Sequence, residues 1–278
     1  MENTLEGIAL FLLLMALVLL GMAVFWGVTR LQGYDLTQEM AHNDNPAVGM
    51  RYAFFVLASI VSFSQVIYQS DSFGDNVEVV LKYGLPVIAV MVLAIYVNDR
   101  LILPSFDNNE EVVRDKNVAV ALVEGATYVA TALIVSSTLV GLETDWAEAL
   151  LWLVVGQVLL VGIAALYRRL VPGVFDQLNR HNLACALSLG GLLVSVGIVL
   201  SAAVSGESSG FWDDVVDVGF FLAGWSGAMV AAHFLADIVA VPSVKLRDEV
   251  MEQENVAAGV MEAVFFIGFT LLYTFVVG

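Results

Sequence analysis

ENVAAGVMEAVFF, residues 254–266, and KNVAVALVEGATY, residues 116–128, share one pattern. Each sets an asparagine ahead of an apolar run and returns a glutamate seven residues later, Glu124 after Asn117 and Glu262 after Asn255. Neither run shows the period-two alternation of a half-buried strand. A helix advances roughly 10 Å over such a spacing, which sets each glutamate about a third of the way into a hydrocarbon layer of roughly 30 Å. The two stretches therefore predict membrane helices that carry acids where acids are expensive.

The rest of the chain supports a membrane setting. It has 278 residues, is 59% hydrophobic and has a mean hydropathy of +0.85, above the apolar content of ordinary soluble domains. Long runs without charge recur, and runs of about 20 apolar residues predict transmembrane helices. In lipid every backbone amide needs an internal partner, which restricts spanning structures to helices and closed barrels. The patterning predicts helices near 5–29, 47–69, 78–103, 117–141, 147–168, 182–205, 215–241 and 256–277. The run from Gly7 to Val28 exceeds the length of a signal-peptide core and is read as the first span.

Charge orients these spans. The connections after the first, third, fifth and seventh helices carry Arg30, Arg100, Arg114, Lys116, Arg168, Arg169, Arg180, Lys245 and Arg247, with Arg51 just inside the second helix. On the opposite side only Lys82 is basic. Lys/Arg-rich connections stay cytoplasmic, so both termini are expected outside, with Trp146, Trp152 and Trp212 near the outer boundary. The net charge of −17 offers no basic stripe for phosphates, which excludes nucleic acid as a partner. With only three lysines against eight arginines, so acidic a chain suggests a halophilic source, where salt screens self-repulsion. Cys185 is a lone thiol and reads as a small apolar residue in a helix.

Four Asn-x-Ala marks open the even helices: Asn45-Pro46-Ala47, Asn117-Val118-Ala119, Asn182-Leu183-Ala184 and Asn255-Val256-Ala257. Asparagine is a strong helix N-cap, and alanine permits close approach of a neighbour. Each mark begins the return leg of one hairpin, so all four fall on the same side, as parallel repeats do. A longer period is superimposed. A shift of 138 carries Asp99 to Asp237, Pro104 to Pro242, Ser105 to Ser243, Asn117 to Asn255 and Glu124 to Glu262. The first and third hairpins align through Asn45 and Asn182, and have Tyr52 and Leu189 at the glutamate position. The expected architecture is all-α: eight transmembrane helices as four parallel hairpin repeats, in two tandem halves, 1–141 and 142–278.

The Asn-x-Ala helices and the acidic connections before them, FDNNEEVVRDKNVAVA and VKLRDEVMEQENVAAG, resemble the YjfL type of small inner-membrane protein, a domain family of unknown function. That resemblance implies a two-hairpin unit, here fused in tandem across nearly the whole chain. It implies no activity.

The candidate working residues are Asp99, Glu124, Asp237 and Glu262. An acid at mid-helix costs about 2.5–3.5 kcal/mol on insertion scales. Asp99 and Glu124 are expected at similar depth on adjoining helices, as are Asp237 and Glu262, and two carboxylates brought together in low dielectric bind a proton or a cation. This favours a channel or ion-coupled transporter for H⁺ or Na⁺. The rival is a non-transporting membrane component, in a homo-oligomer or against another membrane partner, packing through Gly190, Gly191, Gly224 and Gly227, with the acids bonded to neighbouring helices. Glu78 and Asp217 read as helix-start residues, and His42 and His181 as solvated loop residues. His233 shares a helix face with Asp237 and is a weak metal candidate, because one histidine with acids lacks the usual ligand set. No cofactor is expected, and with neither a phosphate loop nor a nucleophile triad in the sequence, no enzymatic activity either.

Overall fold

A computed structural model describes residues 2–64, 72–104, 107–138, 146–205, 210–235 and 244–278. Its helices are α1 (Glu2–Leu31), α2 (Pro46–Ser64), α3 (Phe73–Leu101), α4 (Val118–Thr138), α5 (Trp146–Leu170), α6 (Val174–Asn179), α7 (Leu183–Ala203), α8 (Phe211–Leu235), α9 (Leu246–Met251) and α10 (Val256–Val277). Two π-helical turns, Gln38–His42 and Glu110–Arg114, stand before α2 and α4 in the places that α9 and α6 take before α10 and α7. Among the described residues there is no strand, and eight helices are long and apolar enough to cross a membrane. α3 and α8 begin a turn earlier than expected, so Glu78 and Asp217 lie inside their helices rather than at the starts, both exposed.

The scaffold is a row. α2 packs on α4, α4 on α7, and α7 on α10, and these three contacts dominate the tertiary structure. α1, α3, α5 and α8 lie against the sides of the row. α4 and α7 are consequently the most enclosed helices, and they carry an almost continuous set of buried residues. The outer helices expose Leu5, Phe11, Leu93, Val158, Phe220 and many more large apolar side chains. A surface of that kind suits acyl chains, which reward no charge and penalise an unpaired backbone amide.

Small residues let the row close up. A Cβ on Gly197 would meet the Cα of Ala130, and one on Gly191 would meet the Cα of Ala263. Backbone atoms cannot yield as a side-chain tip would, so these glycines admit α4 and α10 to within backbone contact of α7. The expectation that Gly190, Gly191 and Gly224 serve an outside partner is therefore corrected: Gly190 faces Leu122 and Ala126, Gly191 faces α10, and Gly224 receives the Tyr273 hydroxyl. Only Gly227 of the four meets nothing nearby.

The Asn-x-Ala marks do more than cap. Asn45 Oδ1 accepts from the backbone N–H groups of Ala47 and Val48, Asn117 Oδ1 from Ala119 and Val120, Asn182 Oδ1 from Cys185, and Asn255 Oδ1 from Ala257 and Ala258. The amide nitrogen of each also reaches back to its own connection: Glu39, Glu111, Gln177 and Glu249 accept in turn. Three of the four then reach forward. Asn45 Nδ2 donates to the carbonyls of Val112 and Val113, Asn117 Nδ2 to Leu178, and Asn182 Nδ2 to Val250. The residue just before each cap, Asp44, Lys116, His181 or Glu254, holds a positive φ of 46–62°. A left-handed residue there turns the chain from the connection into the helix, in a region that side chains other than glycine enter at some strain.

Candidate functional site

Arg51 rises from the second turn of α2, and α4 meets it with Glu124. Nε donates to Glu124 Oε2 at 2.7 Å and Nη2 to Oε1 at 2.8 Å, a bidentate pair whose side chains are 3% and 1% exposed. The remaining guanidinium hydrogens are used as well. Nη1 donates to Asn109 Oδ1 at 2.9 Å and to the Tyr34 hydroxyl at 3.3 Å, and Nη2 donates to the Asn108 carbonyl at 2.9 Å. A guanidinium has five N–H groups, and all five find acceptors.

That completeness matters energetically. Desolvating two ions costs several kcal/mol each, while their attraction at about 4 Å is only about 4 kcal/mol at an effective dielectric near 20. The three additional hydrogen bonds make up the difference. Tyr34, in the connection after α1, is itself buried. Burial pushes its phenol above the ordinary tyrosine range, against the opposing pull of Arg51, so the ring stays neutral beside the cation.

Asp99, from the last turns of α3, is half-buried and lies close enough to this pair for its carboxyl to act electrostatically on that of Glu124. Its Oδ1 is buried and takes no hydrogen bond. The same is true of the Tyr128 hydroxyl, of Asn98 Oδ1 and of both amide atoms of Asn108. The opposite side of Asn98 is anchored, its Nδ2 donating to Thr127 O and Thr131 Oγ1. The structure thus brings Asp99 and Glu124 together as their spacing predicts and adds an arginine to them. Glu124 holds the guanidinium and Asp99 stands beside the pair without a bond to it, among polar atoms that still have capacity to bind.

The other end of the row is built differently. Glu262 is buried, with His233 Nδ1 at 3.7 Å from Oε1, beyond hydrogen-bond length. Tyr167 and Cys185 lie in its electrostatic neighbourhood, and Tyr167 adjoins Ser188. Ser188 occupies the register of Arg51, six residues after its asparagine, so no guanidinium reaches Glu262 from α7. Asp237, with Pro242 and Ser243, lies outside the described residues. Among the described residues no group of three His, Cys, Asp or Glu side chains is placed to hold a metal ion.

A family model described as Domain of Unknown Function (DUF350) matches the chain twice, over residues 1–139 and again over 141–277. The chain belongs to that family. A UPF0719 transmembrane protein of Aquifex aeolicus (strain VF5) is 24% identical over 257 residues, covering 87% of this chain and 93% of that protein. No solved structure matches.

Within this DUF350 chain the residue that sequence reasoning misplaced is Arg51. Grouped with the basic residues of the connections, it is in fact buried, with its partner 73 positions away. A signal was present: it is the one basic residue inside an otherwise apolar return helix, at nearly the register that Glu124 takes in the next. Tyr34, Asn108 and Asn109 were missed too. All three sit in polar connections, where an inward-turned side chain leaves no mark in composition.

Proposed function

We propose that this protein binds and passes a small cation, H⁺ or Na⁺, through the Asp99–Glu124–Arg51 cluster, in the cell membrane with its Asn-capped helix ends toward the cytoplasm. The observation that carries the reading is the buried Asp99 Oδ1 without a partner, beside a Glu124 whose two oxygens are already held by Arg51. Two carboxylates and one guanidinium leave one negative charge in excess. In a medium of low dielectric that excess is neutralised most cheaply by a proton or a monovalent cation. Glu262 and Asp237 provide the corresponding acids of the second half in this reading, with His233 in place of an arginine.

Flux from liposomes tests it. Wild-type protein is expected to dissipate an imposed H⁺ or Na⁺ gradient, and Asp99→Asn to reduce the rate at least tenfold while the protein still folds and elutes as before. Unchanged flux in Asp99→Asn, or none from wild type with either cation, overturns the reading.

One observation favours a second reading, in which the cluster is a fold-specifying clamp in a non-transporting component. Arg51 has every hydrogen satisfied, as a purely structural arginine would. On that reading Asp99→Asn alters neither flux nor phenotype.

A further inference from the structure

The row of return helices follows one contact rule, and both of its ends are open. Counting from each asparagine, the ninth residue of one helix packs on the eighth of the next. Phe54 meets Gly125, Ala126 meets Gly190, and Gly191 meets Ala263. The forward hydrogen bond of each asparagine obeys its own rule, running to a carbonyl four or five residues before the next asparagine. At the tail of the row, Asn255 donates among the described residues only to Glu249 and is exposed, where Asn45, Asn117 and Asn182 are buried. The ninth residue there, Val264, is 61% exposed.

At the head of the row the complementary positions are vacant in the same way. The eighth residue, Ala53, is exposed, and a Cβ on Gly49 would meet nothing, whereas its register mate Gly259 lies on Ala184 of α7. The carbonyls that would match Val112 and Val250 belong to Met40 and Ala41, both exposed. A groove of about 420 Å³ opens at this place, lined by Met22, Trp26, Leu36, Met40, Ala41 and Tyr52 among others.

We propose that the chain associates head to tail with a second copy, the outer face of α10 seating in the groove between α1, the Gln38–His42 turn and α2, and Asn255 reaching the Met40 or Ala41 carbonyl. Two features of the molecule identify the occupant. The contact between α4 and α7 already joins one family unit to the next within the chain, so docking of unit on unit through these faces is established. The side chains also suit an apolar joint. At the α4–α7 contact the sixth and seventh positions are Val123 and Leu189, and at the open ends they are Met261 and Tyr52, with no charge to bury. Size is complementary as well, Val264 against Ala53 and Ala257 against Gly49. Such an interface is heterologous, so it builds a ring or an array rather than a two-fold dimer.

Disulfide trapping in native membranes tests this. In a Cys185→Ala background, Ala53→Cys and Val264→Cys chains are co-expressed and oxidised before detergent is added. The mixture is expected to give a covalent dimer at twice the 29.9 kDa chain mass, while either variant alone stays monomeric. Gly49→Cys with Ala257→Cys supplies an independent second pair. A dimer from Val264→Cys alone signifies a two-fold, tail-to-tail joint and overturns the proposal. No dimer from either pair, with a monomeric mass by native mass spectrometry from nanodiscs, also overturns it and leaves the groove to lipid.

Discussion

Arg51 and Glu124 form a buried bidentate ion pair, and their removal has asymmetric consequences. Arg51→Leu leaves Glu124 buried without its cation, together with the Asn109 and Tyr34 acceptors. Breaking one side of a buried pair costs roughly 3–5 kcal/mol. The double change Arg51→Leu with Glu124→Leu removes both charges and is expected to recover more than half of that loss, since an apolar replacement of similar volume avoids the desolvation penalty. Unfolding in mild detergent, followed by circular dichroism against a titrated denaturant, gives the three values. A double variant as unstable as the single one would mean that the pair's role in the packing extends beyond charge.

At the scale of the element, the asparagine caps separate two contributions that sequence alone merges. Asn117 caps α4 and also bonds to Leu178 O across the joint to the next connection, fully buried. Asn255 caps α10 with the same geometry, but is exposed and makes no forward bond among the described residues. A cap lost to alanine costs about 1 kcal/mol, and a buried acceptor stripped of its donor costs a further 1–3 kcal/mol. Asn117→Ala is therefore expected to destabilise the monomer by about 2–4 kcal/mol and Asn255→Ala by about 1 kcal/mol or less. The comparison is read by thermal unfolding of both variants at low protein concentration. Equal losses would indicate that the forward bonds contribute nothing and that capping alone accounts for the motif.

At the scale of the whole molecule, the capped ends of the four return helices share one side with Arg100, Arg114, Arg168, Arg169 and Arg247, and the positive-inside rule is the ground on which we propose that side as cytoplasmic. An impermeant maleimide added to intact cells, in a Cys185→Ala background, is expected to label Trp212→Cys and to spare His181→Cys, both positions being exposed. Permeabilised cells should label both. The reverse pattern would place the Asn-capped ends outside and reverse the proposed orientation.

Eight spans, their helical character and the caps at Asn45, Asn117, Asn182 and Asn255 were all legible before any coordinates, because hydropathy and capping are local. A span is decided by the transfer free energy summed over about 20 neighbouring residues, and a cap by atoms within three positions of one asparagine. The approach of Asp99 to Glu124 was legible as well, since a hairpin fixes the relative depth of its two legs. The partner of Glu124 was not, nor was the order of helices in the row, the inward turn of Gly191, or the left-handed residue ahead of each cap. Each of these depends on the rotational phase of two separate helices, or on a backbone angle imposed by packing, and no single segment encodes either. The sequence by itself determined that the chain lies in a membrane and where it crosses; the tertiary structure decided which buried charge answers which, because that choice is made across the space between helices.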